Sequence, residues 1–159
     1  MRTSETDAWW REYRAAHPEV GDRYDVVAFG DSPEQADELV GLVVAGVKRA
    51  TAGSLRSFTD SEPVPQVGDH VVAVDGGGHP RCVWRTTDVE IKPLDQVDER
   101  FAWDEGEGDR SLAYWRDAHD RYFRREAARD GVEFEPAMMT VFERFTIVWP
   151  PELADLAPG

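Results

Sequence analysis

Four side chains in this sequence have the types and spacing to do chemistry together: Lys48, Thr51, Glu105 and Glu107. Lys48 and Thr51 are three apart in Gly46-Val47-Lys48-Arg49-Ala50-Thr51, so an ammonium and a hydroxyl can approach one another if the chain turns before it extends. The glutamates lie in Asp104-Glu105-Gly106-Glu107-Gly108-Asp109, where the interleaved glycines allow a loop to come close to another segment. A carboxylate beside Lys48 would be favoured in its charged form and could serve as general base or ligand acceptor. Glu107 is placed ahead of Glu105 because it lies nearer the start of the helix that follows. Lys48 in a partly dry pocket could stabilise an oxyanion or a phosphorane, or, once deprotonated, take a proton. Thr51 becomes a nucleophile only with a base in hydrogen-bond reach, for which Lys48 and Glu107 are the candidates. A serine-histidine-aspartate order, a metal-ligand helix and a dinucleotide fingerprint are all missing from the sequence, so neither a metal nor a cofactor is expected.

These groups need elements to position them. Ser32 stands where an N-cap belongs, Pro33 fits the first helical position, and Gln35 is placed to close a capping box. Ala36, Leu39, Val40, Val43 and Val44 then recur at helical spacing until Gly46 stops the helix in the left-handed region. Tyr24 to Phe29 reads as a strand entering that helix, and His70 to Asp75 with Arg81 to Ile91 as a strand pair joined by Gly76-Gly77-Gly78. Asp109 is expected near the N-cap of a long helix from about Ser111 to Arg129, ending at Asp130-Gly131. Its apolar stripe, with Leu112, Trp115, Ala118, His119, Tyr122 and Phe123, should cover a sheet, and His119 reads as a hydrogen-bonded core or rim histidine rather than a catalytic one. Met138 to Trp149 supplies a closing strand. Residues 1–24 form a helical extension whose Trp9, Trp10 and Tyr13 dock it to the sheet, and residues 150–159 form a tail.

The run Gly46 to Thr51, preceded by Phe29-Gly30-Asp31-Ser32-Pro33 and followed by Glu105-Gly106-Glu107-Gly108-Asp109-Arg110-Ser111-Leu112-Ala113-Tyr114-Trp115, resembles the ASCH domain family over roughly residues 25 to 149. The resemblance implies an α+β fold: a PUA-like β-barrel with flanking helices, one long helix packed on the barrel. It also implies an RNA, nucleotide or modified-nucleoside ligand. Some members resemble ribonucleases, which makes Ser111 a candidate site group beside its role as a helix-start residue. Some small bacterial members are amidohydrolases of acylated cytidine, in which lysine, threonine and glutamate cooperate. Lys48 and Thr51 match that pattern, with Glu105 or Glu107 as the glutamate.

The 159 residues, 41% of them hydrophobic and six of them tryptophan, suit one globular domain with a substantial core. A single cysteine, Cys82, fits a reducing compartment, and the lack of an apolar leader or spanning run makes a cytoplasmic protein the expectation, with no membrane partner. A net charge of −14 excludes a long nucleic-acid duplex, whose affinity rests on neutralising many phosphates. A local positive patch stays possible: Lys48, Arg49 and Arg56 in one segment, and Arg110, Arg116, Arg121, Arg124, Arg125 and Arg129 in another. The alternative is a solvated helix face in which those arginines pair with Asp117, Asp120 and Glu126. In the first case Arg49 and Arg110 hold phosphate, Trp84 or Trp115 stacks on a base, and Asp31 and Arg85 complete the ligand-binding set.

Three function classes follow. The first is an RNA- or nucleotide-binding module centred on Lys48. The second is a small hydrolase, either ribonuclease or amidohydrolase, using Lys48, Thr51, Glu107 and Ser111. The third is a non-catalytic module binding other proteins through its acidic surface. Lys48 is expected at the polar mouth of the barrel, contributing little to the core.

Overall fold

A computed structural model of the chain describes residues 1–155, built on five strands and four α-helices. In chain order these are α1 (Ser4–Ala16), β1 (Asp25–Ala28), α2 (Pro33–Val44), β2 (Ala50–Ser54), β3 (His70–Val74), β4 (Pro80–Pro93), α3 (Glu99–Glu105), α4 (Leu112–Asp130) and β5 (Met139–Trp149). The sheet order is β1-β3-β4-β5-β2, antiparallel except for the β1–β3 pair. Register shifts in β4 at Val83/Trp84 and Thr86/Asp88 let this long strand bend, and the sheet curls into the half-barrel of a PUA-like α+β fold.

The alternation of strand side chains divides the core. On the inner face Trp84, Phe145 and Ile147 meet Leu39, Val40 and Val43 of α2. Ala50 and Phe142 meet Phe101 of α3 and Trp115 and Phe123 of α4. Val72 and Val83 are covered by Trp10 and Tyr13 of α1. Trp10 and Tyr13 are therefore anchors, while Trp9 stays half-buried outside that cluster.

Local signals explain most element ends. Ser32 Oγ accepts from Gln35 N, while Gln35 Oε1 reaches past Ser32 to Asp31 N, so the expected box closes one residue early. Gly46 has φ +85° after α2, as its stop signal requires. At α4 the N-cap is Ser111, whose Oγ accepts from Tyr114 N. Asp109 instead accepts from Ser111 N, outside the helix. The acidic glycine run also differs from a simple loop: its first residues complete α3, and Glu105 is the last helical residue before Gly106 in the left-handed conformation.

Beyond Trp149 the chain is held rather than trailing. Leu153 packs on the inner core, and Asp155 accepts from Ile147 N and pairs with Arg49. The remainder of the expected tail, 156–159, lies outside the described residues.

Candidate active site

Gly106 is the point at which two distant segments meet. At its φ of +74° a side chain would be strained, and a Cβ there would lie 2.5 Å from Val47 O and 3.0 Å from the Lys48 Cα. Close by, Arg49 N donates to Asp104 O at 2.7 Å. The end of α3 is thus sewn to the turn before β2, which places Lys48 beside both glutamates. The Lys48 side chain folds back, and its Nζ donates to Ala50 O at 2.8 Å and to Glu105 Oε1 and Glu107 Oε2 at 3.3 Å each.

Lys48 is only 1% exposed and Glu105 only 2%, so this ammonium is a buried bridge between carboxylates rather than a polar residue at the mouth. Burying such charges costs several kcal/mol per ion unless each is paired and hydrogen-bonded. Here the pairing is complete. Glu105 Oε1 also faces His119 Nε2 at 3.0 Å, and Glu105 Oε2 accepts from Trp115 Nε1. The other nitrogen of His119, Nδ1, faces Trp115 O at 2.9 Å. Both ring nitrogens thus meet acceptors, an environment that the doubly protonated imidazolium satisfies. The His119 ring stacks on the Trp115 indole, 3.8 Å apart and 10° from parallel.

The electrostatics separate the two carboxyls. Burial alone would raise Glu105, but His119 and Lys48 outweigh it and hold the group well below the usual carboxylate range. Glu107 goes the other way: burial and the charge of Glu105 outweigh Lys48 and push it up. His119 is raised because Glu105 overcomes the opposing effect of burial. One carboxylate is therefore a fixed counter-ion, and the other is poised to exchange a proton.

Thr51, Lys48, Glu105, Glu107, His119 and Tyr122 line a single narrow cleft, roofed on the α2 side by Phe29 and Leu39, with a cavity volume of ≈ 80 Å³. The Thr51 hydroxyl has no hydrogen-bond partner among the described residues, so it is free to meet a ligand. Glu105, Glu107 and His119 present ligand atoms within 4.8 Å of one another, a spacing that could hold a metal ion. The Lys48 ammonium lies against both of those carboxylates and already supplies the compensating positive charge, so a metal would have to displace it.

The other candidates fall outside this cleft. Trp84 is 0% exposed, stacked between Phe29 and Phe145, and its N–H donates to Glu143; it is core and has no face to offer a base. Trp115 is buried and spends its ring on His119 and its N–H on Glu105, so it positions the cluster instead of stacking on a ligand. Arg49 is committed to Asp155, Val43 O and Lys48 O. Arg110 lies over Trp103 and donates to Trp103 O and Val47 O. Asp31 is held by Arg125 and Arg129, each at 3.0 Å. Arg85 lies on an exposed position of β4, paired in register with His70 and away from the cleft. Ser111 is occupied as the N-cap of α4.

Most of the expected arginine patch is paired; Arg116 is exposed, with no carboxylate partner among the described residues. Arg121 and Arg124 pair with Asp117 and Asp120 along α4, and Arg56 with Glu126 and Asp130. The solvated, paired face is the arrangement found.

The residue that sequence reasoning left out of the site is His119. Its signal was present in the spacing: Trp115 and His119 are four apart, one above the other on the α4 face that turns towards Glu105. Only the position of α3, unknown from the sequence, distinguished a rim histidine from a member of the cluster.

A curled sheet capped by α2 and α4, with a lysine turned into it from the α2–β2 turn, defines a PUA-like domain with one polar cleft. A family model for the ASCH domain matches residues 25–149, and the chain belongs to that family. Among solved structures it is similar to the ASCH domain from Lactobacillus crispatus JV V101, with a TM-score of 0.81 and 31% identity over 91% of this chain and 94% of that one. It is similar also to protein EF3133 from Enterococcus faecalis V583, with a TM-score of 0.82 and 36% identity over 91% of this chain and 88% of that one. A hypothetical protein, PH0355, shares the fold alone, at 11% identity and a TM-score of 0.52 over 79% of this chain and 98% of that one. No curated protein matches the chain.

Proposed function

We propose that this ASCH domain is a small hydrolase that removes an acyl group from a modified nucleoside. The observation that carries the reading is the buried Lys48 ammonium bridging Glu105 and Glu107 on the floor of a cleft that also holds a free threonine hydroxyl. So many ionisable groups drawn out of water is a costly way to hold a fold together, since apolar residues of similar volume usually serve stability as well or better.

The chemistry follows from the divided carboxyls. Glu107, deprotonated, takes a proton from a water as that water adds to the acyl carbon. The Thr51 hydroxyl faces the negative charge that develops on the carbonyl oxygen, and the Lys48 ammonium stabilises it as Glu107, taking up the proton, releases its share of that cation. The tetrahedral adduct collapses by breaking the carbon–nitrogen bond, and the proton held on Glu107 passes to the departing nitrogen. The products are a carboxylic acid and the amino nucleoside. Glu105, kept ionised by Lys48 and His119, fixes the ammonium and never needs to change its charge.

Two observations weigh against a polyanion-holding module. The arginines considered for phosphate, Arg116 excepted, are paired with carboxylates or committed to backbone carbonyls, and the aromatics considered for base stacking are buried. Incubation of the protein with N-acylated cytidine and with RNA oligomers, followed by chromatography of the products, tests the reading. Release of the free amino nucleoside supports it. Cleavage or tight binding of RNA with the acyl nucleoside left intact overturns it.

A further inference from the structure

Thr51 and Glu143 are directly opposed residues of β2 and β5, so their side chains stand on the same face of the sheet. They nevertheless line two different cavities. Thr51 belongs to the narrow Lys48 cleft, and Glu143 to a larger one bounded by β1, the segment after β2 and Glu126 of α4; Tyr122 lines both. The two cavities thus share Tyr122 as a wall, and the opposed pair Thr51 and Glu143 gives one side chain to each, which makes this pair the natural junction between them.

Glu143 is only 7% exposed and has no cationic partner among the described residues. Its Oε2 accepts from Thr86 Oγ1 at 2.7 Å and Trp84 Nε1 at 3.2 Å, while Oε1 accepts from no described residue. No fully buried side-chain oxygen or nitrogen of the described residues is left without a partner, so the unused Oε1 is one that reaches the chamber. A buried carboxyl with one oxygen satisfied and the other presented to a cavity keeps an open acceptor there, which water or the donor of a ligand can fill. Asp25, Glu62, Asp69 and Glu126 line the same chamber against Met1 and Arg2, and Arg2 is paired with Asp7, so carboxylates predominate in its field and favour an N–H over a carbonyl.

We propose that Glu143 is a specificity-determining residue of a second subsite in the same cleft, where its free Oε1 accepts an N–H from the exocyclic nitrogen of an aminopyrimidine nucleoside and turns away a carbonyl. This rests on the nucleoside reading above. The acyl group enters the narrow chamber beside Lys48 and Thr51, the exocyclic nitrogen lies at the junction, and the base occupies the larger chamber. A carbonyl placed at that nitrogen's position would set oxygen against oxygen. Burial keeps Glu143 above the usual carboxylate range against the opposing effect of its Thr86 and Trp84 hydrogen bonds, in keeping with a group that has no fixed counter-ion.

Calorimetric titration with cytidine and uridine, neither of which carries a group to be hydrolysed, tests the assignment apart from turnover. The full chain should prefer cytidine by about tenfold or more, the difference made by one hydrogen bond to a charged group. In Glu143→Gln with an unchanged near-ultraviolet dichroism spectrum, that preference should disappear. In Glu107→Gln, which keeps the contact with Lys48, it should persist while hydrolysis is lost. A preference that survives Glu143→Gln overturns the assignment and leaves the hydrolase reading standing; failure of both nucleosides to bind the unaltered protein overturns both. Should Glu143→Gln not fold, the amino resonance of ¹⁵N-labelled cytidine bound to the unaltered protein decides: a downfield shift of its protons supports the contact, and an unshifted resonance overturns it.

Discussion

His119 Nε2 lies 3.0 Å from Glu105 Oε1 while the histidine ring stacks on Trp115, whose own N–H donates to the other oxygen of the same carboxylate. One turn of α4 thereby clamps the glutamate that holds Lys48. The same clamp makes stability depend on pH. Glu105 raises His119 above its ordinary value despite burial, so the contribution is fully present below about 6.5 and is lost as pH rises through the raised folded-state value.

The melting temperature of the unaltered protein should therefore fall between pH 6.5 and the folded-state value of His119 by more than that of His119→Gln, which has no such proton to lose. Calorimetry of both proteins across that range checks it. Parallel profiles would remove the ion pair from the account.

Trp115→Phe keeps an aromatic ring against His119 and removes the N–H that Glu105 accepts, together with part of the buried indole. Urea unfolding should show a loss of at least about 1.5–3 kcal/mol, the range for a hydrogen bond to a charged group, with the lost packing added to it. A neutral result would mean that Glu105 is held by Lys48 and His119 alone.

Trp84→Ala should cost about 3–5 kcal/mol, because the indole fills a fully enclosed site between Phe29 and Phe145. Loss of nucleoside binding with stability unchanged would restore this residue as a stacking platform.

Much of the architecture was legible in local signals. Ser32-Pro33 and Gly46 bracket α2, Ser111 and Gly131 bracket α4, and the glycines between Asp75 and His79 mark the β3–β4 hairpin. Their meaning is local, carried by a few residues on either side of a turn. The site was half legible. Lys48, Thr51, Glu105 and Glu107 carry chemistry by type and spacing, but their depth does not follow from type: Lys48 was expected at a polar mouth and is buried. Glu107 was ranked ahead of Glu105 by nearness to α4, yet Glu105 makes more of the contacts because α3 runs on to it and turns it inward. Trp84 and Trp115 show the same limit in reverse. A tryptophan on an alternating strand or a helical stripe faces core or ligand with the same sequence pattern, and only the packing of α2 and α4 on the sheet decides for the core.

The raised Glu107 has a kinetic consequence. A general base works only when deprotonated, so kcat/KM for an acylated nucleoside should rise with pH through the value of this carboxyl. The acid limb should lie above the ordinary glutamate range of about 4.3, because burial and Glu105 together favour the protonated form. A limb at or below that range would place the base elsewhere.

Lys48→Ala is a poor separate test of catalysis, since it strands two carboxylates in the interior and should cost about 3–5 kcal/mol by itself. Glu107→Gln is the more direct one: it keeps the shape and the contact with Lys48, lies partly at the surface and removes only the base. The steady-state kcat/KM of that variant on N-acylated cytidine should fall by about a hundredfold or more relative to the unaltered protein, with the melting temperature held within a few degrees. Hydrolysis that proceeds at the same rate in Glu107→Gln would contradict the account.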